Sequence, residues 1–248
     1  EVFAVLLPLY VRTDRRQHAP SCPGLSQPVA WAIARSVDIC AGDVVCDPMC
    51  GAGIILLEAA QCWRHASFIG FDEDDGQLQR FGANLDLVST QVRRQISMCR
   101  ADAARLPMAS ASVDAIVSDL PFGKQYGSIE ENVVLYPAVV SEIRRVLRTG
   151  SGRAALLTNM KNSNRLAEVF AATPDLWEVT CRRRVLLGFM EAVLFVAHAR
   201  PCPEGKDMPA ESWRLPWEHN SRGRARWMAE KVASRPPLEA ARGRKMIS

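Results

Sequence analysis

Short apolar runs alternate with stretches whose apolar residues recur at helical spacing, almost to residue 200. Residues 2–11 are apolar enough for a strand and lead into a polar, proline-bearing segment over 12–24. Leu25-Ser26-Gln27-Pro28 then opens a helix, with Ser26 placed to cap it and Pro28 tolerated in its first turn. Val29, Ile33 and Val37 form the packed face of that helix. A buried strand over 43–47 breaks into the turn Pro48-Met49-Cys50-Gly51-Ala52-Gly53, and residues 54–63 continue as a helix apolar on most sides. Further strands follow at 67–72, 95–100, 113–119 and 153–158, with helices at 75–84, 133–147 and 162–172. Residues 177–187 and 189–197 meet at Gly188 and read as an antiparallel hairpin.

Strands alternating with helices predict an α/β fold with a mostly parallel, doubly wound sheet, which the hairpin closes. In the first hairpin strand Arg182 and Arg184 share a face. They serve either as charged guards of an edge strand or as part of an RNA-facing patch. Arg144, Arg145 and Arg148 close the helix over 133–147, where cations complement its dipole.

Charge changes this picture little. The 248-residue chain carries a formal net charge of +4. From Pro201 onward there are 10 Lys/Arg against 6 Asp/Glu, which leaves 21 of each sign in the first 200 residues. Attraction to a polyanion therefore has to come from local patches or from the basic tail over 200–248, expected to be extended or partly disordered. The eight cysteines form no Cys-x-x-Cys pair, which argues against zinc, and at this length a disulfide framework is unneeded. No apolar run approaches the ~18 residues of a membrane span, and an intracellular location, cytoplasmic or nuclear, is expected. The chain opens at Glu1 in strand-like sequence without a methionine, as an excised domain would. Three segments are thus expected: a lead-in at 1–24, a main α/β domain at 25–199 and the tail.

Candidate chemistry gathers at strand ends. Asp119-Leu120-Pro121-Phe122 places a carboxylate, a rigid proline and an aromatic ring at the mouth of a buried strand. The acid and a backbone carbonyl can accept from an exocyclic amine while the ring stacks on a flat heterocycle. A strand, a Gly-x-Gly turn at Gly51 and Gly53 and a helix start let a backbone approach a nucleotide-like ligand. Leu56 stands where a dinucleotide fingerprint would need its third glycine, and no Gly-Lys-Ser/Thr follows, so neither a dehydrogenase nor an ATPase is indicated. Asp72 lies 19 residues beyond Gly53. An acid at ~20 residues suits a ribose hydroxyl pair, and capping of the next helix is the structural alternative. Asp102 is either an acceptor for an adenine amine or a loop acid facing water. Lys124 and Tyr126 lie in a glycine-bearing loop that suits a substrate cover or an ordinary surface loop.

This arrangement resembles a Rossmann-like class I S-adenosylmethionine-dependent methyltransferase. More narrowly, Asp47-Pro48-Met49-Cys50-Gly51-Ala52-Gly53 with Ile55-Leu56-Leu57-Glu58-Ala59-Ala60, and Asp119-Leu120-Pro121-Phe122-Gly123-Lys124, are similar to the THUMP domain-containing RNA guanine-N2 methyltransferases. Residues 25–28 resemble their proline-bearing segment, and the resemblance covers about 23–197. It implies S-adenosyl-L-methionine as cofactor, held by Asp47, Pro48, Cys50, Gly51 and Gly53 along its methionine part, Asp72 at the ribose and Asp102 at adenine. Asp119, Pro121 and Phe122 would receive a guanine in tRNA or a spliceosomal small nuclear RNA, with Asp119 also beside the cofactor and Lys124 and Tyr126 on the substrate. Residues 55–60 and the hairpin at Leu187-Gly188 look closer to the small nuclear RNA member, whereas Asp-Leu-Pro-Phe-Gly-Lys looks closer to the tRNA member. The family's THUMP module is not in these residues and is expected upstream. A small zinc-binding activator subunit is implied as partner, with no membrane and no metal in this chain. N6-adenine or glutamine methylation, or a non-catalytic methyltransferase-like RNA-binding subunit, are the alternative functions.

Overall fold

The computed structural model describes residues 25–123 and 132–201. The strand expected at 2–11, the whole lead-in, Lys124, Tyr126 and the tail beyond residue 201 lie outside the described residues. The elements are, in chain order, α1 (Gln27–Arg35), β1 (Val44–Asp47), α2 (Ile54–Cys62), β2 (Ser67–Asp72), α3 (Asp75–Leu85), α4 (Thr90–Arg93) and β3 (Ile96–Arg100). Then come β4 (Ala115–Asp119), α5 (Asn132–Val146), β5 (Arg153–Asn159), α6 (Met160–Ala171), β6 (Trp177–Leu187) and β7 (Met190–Ala199).

The seven strands form one sheet in the order β3-β2-β1-β4-β5-β7-β6. β1 to β5 are parallel, and β7 runs antiparallel to both β5 and β6. This is the mostly parallel sheet with a closing hairpin that the sequence pattern predicts. From β1 the chain winds outward to β2 and β3, then returns to place β4 on the other side of β1. The winding therefore reverses between β1 and β4, the switch point at whose carboxyl edge sheets of this kind bind their ligands.

Strand residues alternate between two apolar layers, because successive side chains leave a strand on opposite faces. Val45, Val117 and Leu157 face a core shared with Ile33 of α1 and Leu56 of α2. Cys46, Ile116 and Leu156 face a second core shared with Ile143 of α5 and Leu166 of α6.

Local differences from the expected elements are few. α1 ends at Arg35, and Val37 is buried from the turn that follows instead of from the helix. Ser26 holds the N-cap position, but its side chain makes no capping bond. α4, only four residues long, is too short to leave a periodic signal; Ser89 Oγ caps it by accepting from the Val92 N–H. The arginines that close α5 do more than complement a dipole. Arg145 binds Glu142 and donates to the carbonyls of Leu106 and Met108, tying down the loop before β4. Arg148 pairs with Asp114, and Arg144 donates to the Arg200 carbonyl.

The glycine turn after β1 is shaped by packing on α3. Gly53 has φ +79°, and a Cβ there would lie 2.1 Å from the ring of the fully buried Phe81. On β2, a Cβ at Gly70 would meet Phe81 at 2.7 Å, Cys50 Sγ at 2.9 Å and Leu56 at 3.0 Å. The close approach of helix to strand that a third loop glycine normally provides is thus supplied by a glycine of the neighbouring strand. Gly53→Ala combines left-handed strain with overpacking and should cost about 3 kcal/mol. Urea unfolding should show it as a lower midpoint at unchanged slope.

Candidate active site

Four acids line the carboxyl edge of the sheet in strand order. Asp102 follows β3, and Asp72, Asp47 and Asp119 end β2, β1 and β4. The two corners singled out by sequence, the glycine turn and the Asp-Leu-Pro-Phe turn, are neighbours because β1 and β4 pair directly, Cys46 opposite Ile116. Just beyond that pair, Ser118 Oγ donates to Asp47 Oδ1 across the switch point at 2.8 Å.

Asp47 is buried, and the Met49 N–H also reaches its Oδ1, at 3.1 Å. Burial raises its pKa to about 7 against these two hydrogen bonds, and the Asp119 and Asp72 carboxylates push the same way. Pro48 is buried as well. Cys50 has a packing role: its Sγ lies against the Gly70 backbone, its N–H donates to the Phe71 carbonyl, and burial holds its thiol protonated. Gly51 has φ +52°, and the nearest group to a Cβ there would be Gln77 Oε1 at 3.8 Å, so its backbone is approachable.

Asp72 does not cap α3; Asp74 does, accepting from the Gly76 N–H at 2.7 Å. Asp72 instead accepts from the Gly51 N–H through Oδ2 and from the Asp74 N–H through Oδ1, each at 2.9 Å. Both carboxylate oxygens keep acceptor capacity for further hydroxyl donors. Burial raises its pKa, opposed by those two backbone bonds. Asp102 folds back on its own turn, where Oδ1 accepts from the Ala104 N–H at 2.8 Å.

The Asp-Leu-Pro-Phe turn is pinned from behind by residues with no local motif. The Pro121 carbonyl accepts from Asn132 Nδ2 at 2.9 Å and from the Tyr136 hydroxyl at 2.8 Å. Tyr136 is completely buried and also bonds Thr158 Oγ1. The Phe122 carbonyl accepts from Asn159 Nδ2 at 2.6 Å and Asn162 Nδ2 at 3.4 Å. These donors stand on α5, β5 and α6, 11 to 40 residues further along the chain. Only the position of Asn159 and Asn162 at a strand-to-helix junction could have hinted at them. Asp119 itself has a buried Oδ1 with no hydrogen-bond partner among the described residues, and burial raises its pKa to about 7. A buried carboxylate oxygen without a donor is costly and marks a place where a ligand donor belongs. Phe122 is half-buried, packed by one part against the core that α1 and α2 share.

A family model for the RMKL-like methyltransferase domain (UPF0020) matches residues 13–184. The chain belongs to that family. U6 snRNA (guanine-N(2))-methyltransferase THUMPD2 of Bos taurus is 42% identical over 135 residues, which is 54% of this chain and 26% of that protein. tRNA (guanine(6)-N(2))-methyltransferase THUMP3 of Mus musculus is 32% identical over 202 residues, 75% of this chain and 40% of that protein. The chain therefore spans roughly a quarter to two fifths of these relatives. Among solved structures, TrmN from Thermus thermophilus aligns with a TM-score of 0.63 at 28% identity, covering 75% of this chain and 53% of that one. A geranyl diphosphate methyltransferase in complex with SAM aligns at 0.55 and 14% identity, covering 70% of this chain and 85% of that chain, which shows the fold alone. The methyltransferase domain expected from the glycine turn and the Asp-Leu-Pro-Phe turn is thus found, and its relatives are guanine-N2 methyltransferases. No His/Cys/Asp/Glu group that could hold a metal occurs among the described residues. Nor is any described helix long and apolar enough to cross a membrane.

The raised pKa of Asp119 makes a stability prediction. Unfolded, its carboxyl titrates near ~3.9, and folded near 7. The favourable state is the protonated one, so its contribution is complete below pH ~4 and is lost between ~4 and ~7 as the unfolded chain ionises first. Asp119→Asn carries no such proton. Its stability relative to the parent should rise by up to about 4 kcal/mol across that interval and then level off. Denaturant titrations at a series of pH values measure this, and a flat difference would refute it.

Proposed function

We propose that this domain transfers a methyl group from S-adenosyl-L-methionine to the exocyclic N2 of a guanosine in a structured RNA, a tRNA or a spliceosomal small nuclear RNA. The observation that carries the reading is the donor-less oxygen of Asp119 in a turn whose next carbonyls are already occupied. Pro121 and Phe122 have their carbonyls filled from behind, so the Leu120 carbonyl, which accepts no bond from the described residues, is the acceptor of this turn left to act with Asp119. Two acceptors side by side match the two N–H bonds of an aromatic amine.

Residues present in the crevice suit the cofactor. Asp72 offers acceptors for a ribose hydroxyl pair, Gly51 offers approachable backbone, and Asp47 and Asp119 are acids beside the position of a cationic sulfonium. When bound, S-adenosylmethionine supplies an electrophilic methyl group. The chain's own residues supply position and proton handling. Asp119 and the Leu120 carbonyl hold the two N–H bonds so that the nitrogen lone pair is drawn out of conjugation with the ring and toward the methyl group, and the Phe122 ring holds the base by stacking. Positioning of this kind contributes up to about 7–11 kcal/mol in favourable cases. The new N–C bond leaves one proton too many on N2. Asp119 receives it, and a carboxylate pKa near 7 suits that exchange at neutral pH. A base in a helix or folded loop has to leave its stack to enter the turn.

Binding of the whole RNA would draw on the THUMP module expected upstream. The implied zinc-binding activator would cover apolar surface, of which Leu87 and Met98 near the edge strand β3 are exposed examples. The reading also places the protein inside the cell.

Asp119→Ala should keep S-adenosylmethionine affinity within about threefold by calorimetry while methyl transfer falls by about 10³, the scale of losing a positioned acid–base group and its orientation. Asp72→Ala should do the reverse and weaken cofactor binding by about tenfold or more, as expected for a lost charge-assisted pair of hydrogen bonds. Mass spectrometry of RNA methylated by the purified protein identifies the base. N6-methyladenine or methylglutamine as product would move the assignment to those neighbouring chemistries.

A further inference from the structure

Gatekeeping explains part of the closing hairpin. β6 is the outer strand of the sheet, and Arg182, Arg183 and Arg184 expose charge along it. It does not explain the tip. Leu186 is 72% exposed and Phe189 is fully exposed, where an edge designed only to repel other strands would avoid large apolar groups.

Strand register locates this tip. The cross-strand row that begins at Asp119 runs through Leu157 and Leu194 to Arg183. Three inter-strand steps put the Arg183 backbone about 14 Å from that of Asp119 across the sheet. β5 ends at Asn159, opposite Ala192, and Ala192 faces Val185. Residues 186–191 therefore project beyond the carboxyl edge of the sheet, on the side where the Asp-Leu-Pro-Phe turn opens.

A second basic series climbs beside the first. Arg182 donates to Asn164 Oδ1 at 3.0 Å and lies 5.3 Å from the Phe195 ring centre, which fixes β6 against α6. Lys161, one turn before Asn164, is exposed, and Arg165 adjoins it on that helix face. α6 begins at the carboxyl edge, so Asn164 to Lys161 and Arg182 to Arg184 to Leu186 ascend in the same direction. The carboxylates nearby are Glu168 on α6 and Glu178 and Glu191 on the hairpin. None of them is paired with Lys161, Arg165 or Arg184 among the described residues.

We infer that the outer face of α6 and the β6–β7 hairpin form an RNA-binding arm of the catalytic domain. Lys161, Arg165 and Arg184 contact backbone phosphates flanking the target nucleotide, and Leu186 and Phe189 pack against a base beside it. This inference rests on the proposed RNA substrate and adds where that substrate lies. Charge complementarity selects the occupant: the first 200 residues are neutral in sum, so a cationic series leading from the catalytic turn is local and directed. An exposed aromatic ring among guanidinium groups is the combination that tracks an unpaired strand, with cations on phosphates and a ring on a base.

The test uses the full-length protein with any subunit that co-purifies, and transcribed tRNA and U6 small nuclear RNA as probes. Lys161→Glu combined with Arg184→Glu should weaken binding of the methylated RNA by about tenfold or more and lower the slope of log affinity against log salt by about 2. Arg184→Lys should retain the slope, which a merely structural arginine would not guarantee. Phe189→Ser should weaken binding by about tenfold with the salt slope unchanged, since stacking releases no counterions. Cofactor affinity and melting temperature should stay at parental values throughout. Unchanged RNA affinity and slope in the double variant, in a protein that still methylates RNA, overturn the arm and leave the catalytic reading standing. A parent protein that neither binds nor methylates RNA overturns both.

Discussion

Direct pairing of β1 with β4 is the constraint on which the rest of the molecule depends. The two strands are far apart in sequence, and between them the chain makes a full excursion through β2 and β3. Only their adjacency puts the glycine turn and the Asp-Leu-Pro-Phe turn on one crevice. The Ser118 hydroxyl on the Asp47 carboxylate ties the pair at the level where they diverge. A parallel sheet buried on both faces gives those strand ends little freedom, because each is held by ladders on two sides and by helices above and below.

On this scaffold the crevice is acidic, and two of its acids are hard to ionise. Asp47 and Asp119 each lose water to their surroundings, and neither gains a basic side chain among the described residues in exchange. Such sites are costly to the folded state and useful to a ligand that brings its own donors or positive charge. The second half of the design is rigidity. Tyr136, Thr158, Asn132, Asn159 and Asn162 hold two successive carbonyls of the turn, so a proline-stiffened loop is also held from outside by α5, β5 and α6. A site held by side chains of three elements keeps its geometry better than a loop held by its own backbone.

Packing around the glycine turn shows how one residue type can serve by shape alone. Gly53 and Gly70 leave room for Phe81, and Leu56 sits where a dinucleotide-binding loop would carry glycine. The turn's departure from that fingerprint is therefore compensated on β2. Cys50, which the motif resemblance groups with the cofactor loop, is spent on the same contact. The hairpin at the other end of the sheet carries the opposite lesson, since Leu186 and Phe189 at its tip are left exposed while Leu187 packs on the core.

The alternation of apolar runs marked the type and order of the large elements over the described residues, and Gly51, Gly53, Asp72 and Asp119 announced their turns through local chemistry. Such signals survive in sequence because strand period, helix period and turn residues act over a few neighbours. The tertiary structure alone decided which oxygen of Asp119 lacks a donor, that Asp72 braces the glycine turn while Asp74 caps α3, and that Cys50 belongs to the core. It also supplied the row from Asp119 to Arg183 and the donors behind Pro121 and Phe122. Each of these depends on groups brought together by strand order and helix packing from tens of residues apart, and no local pattern records a contact whose partners meet only when the sheet has closed.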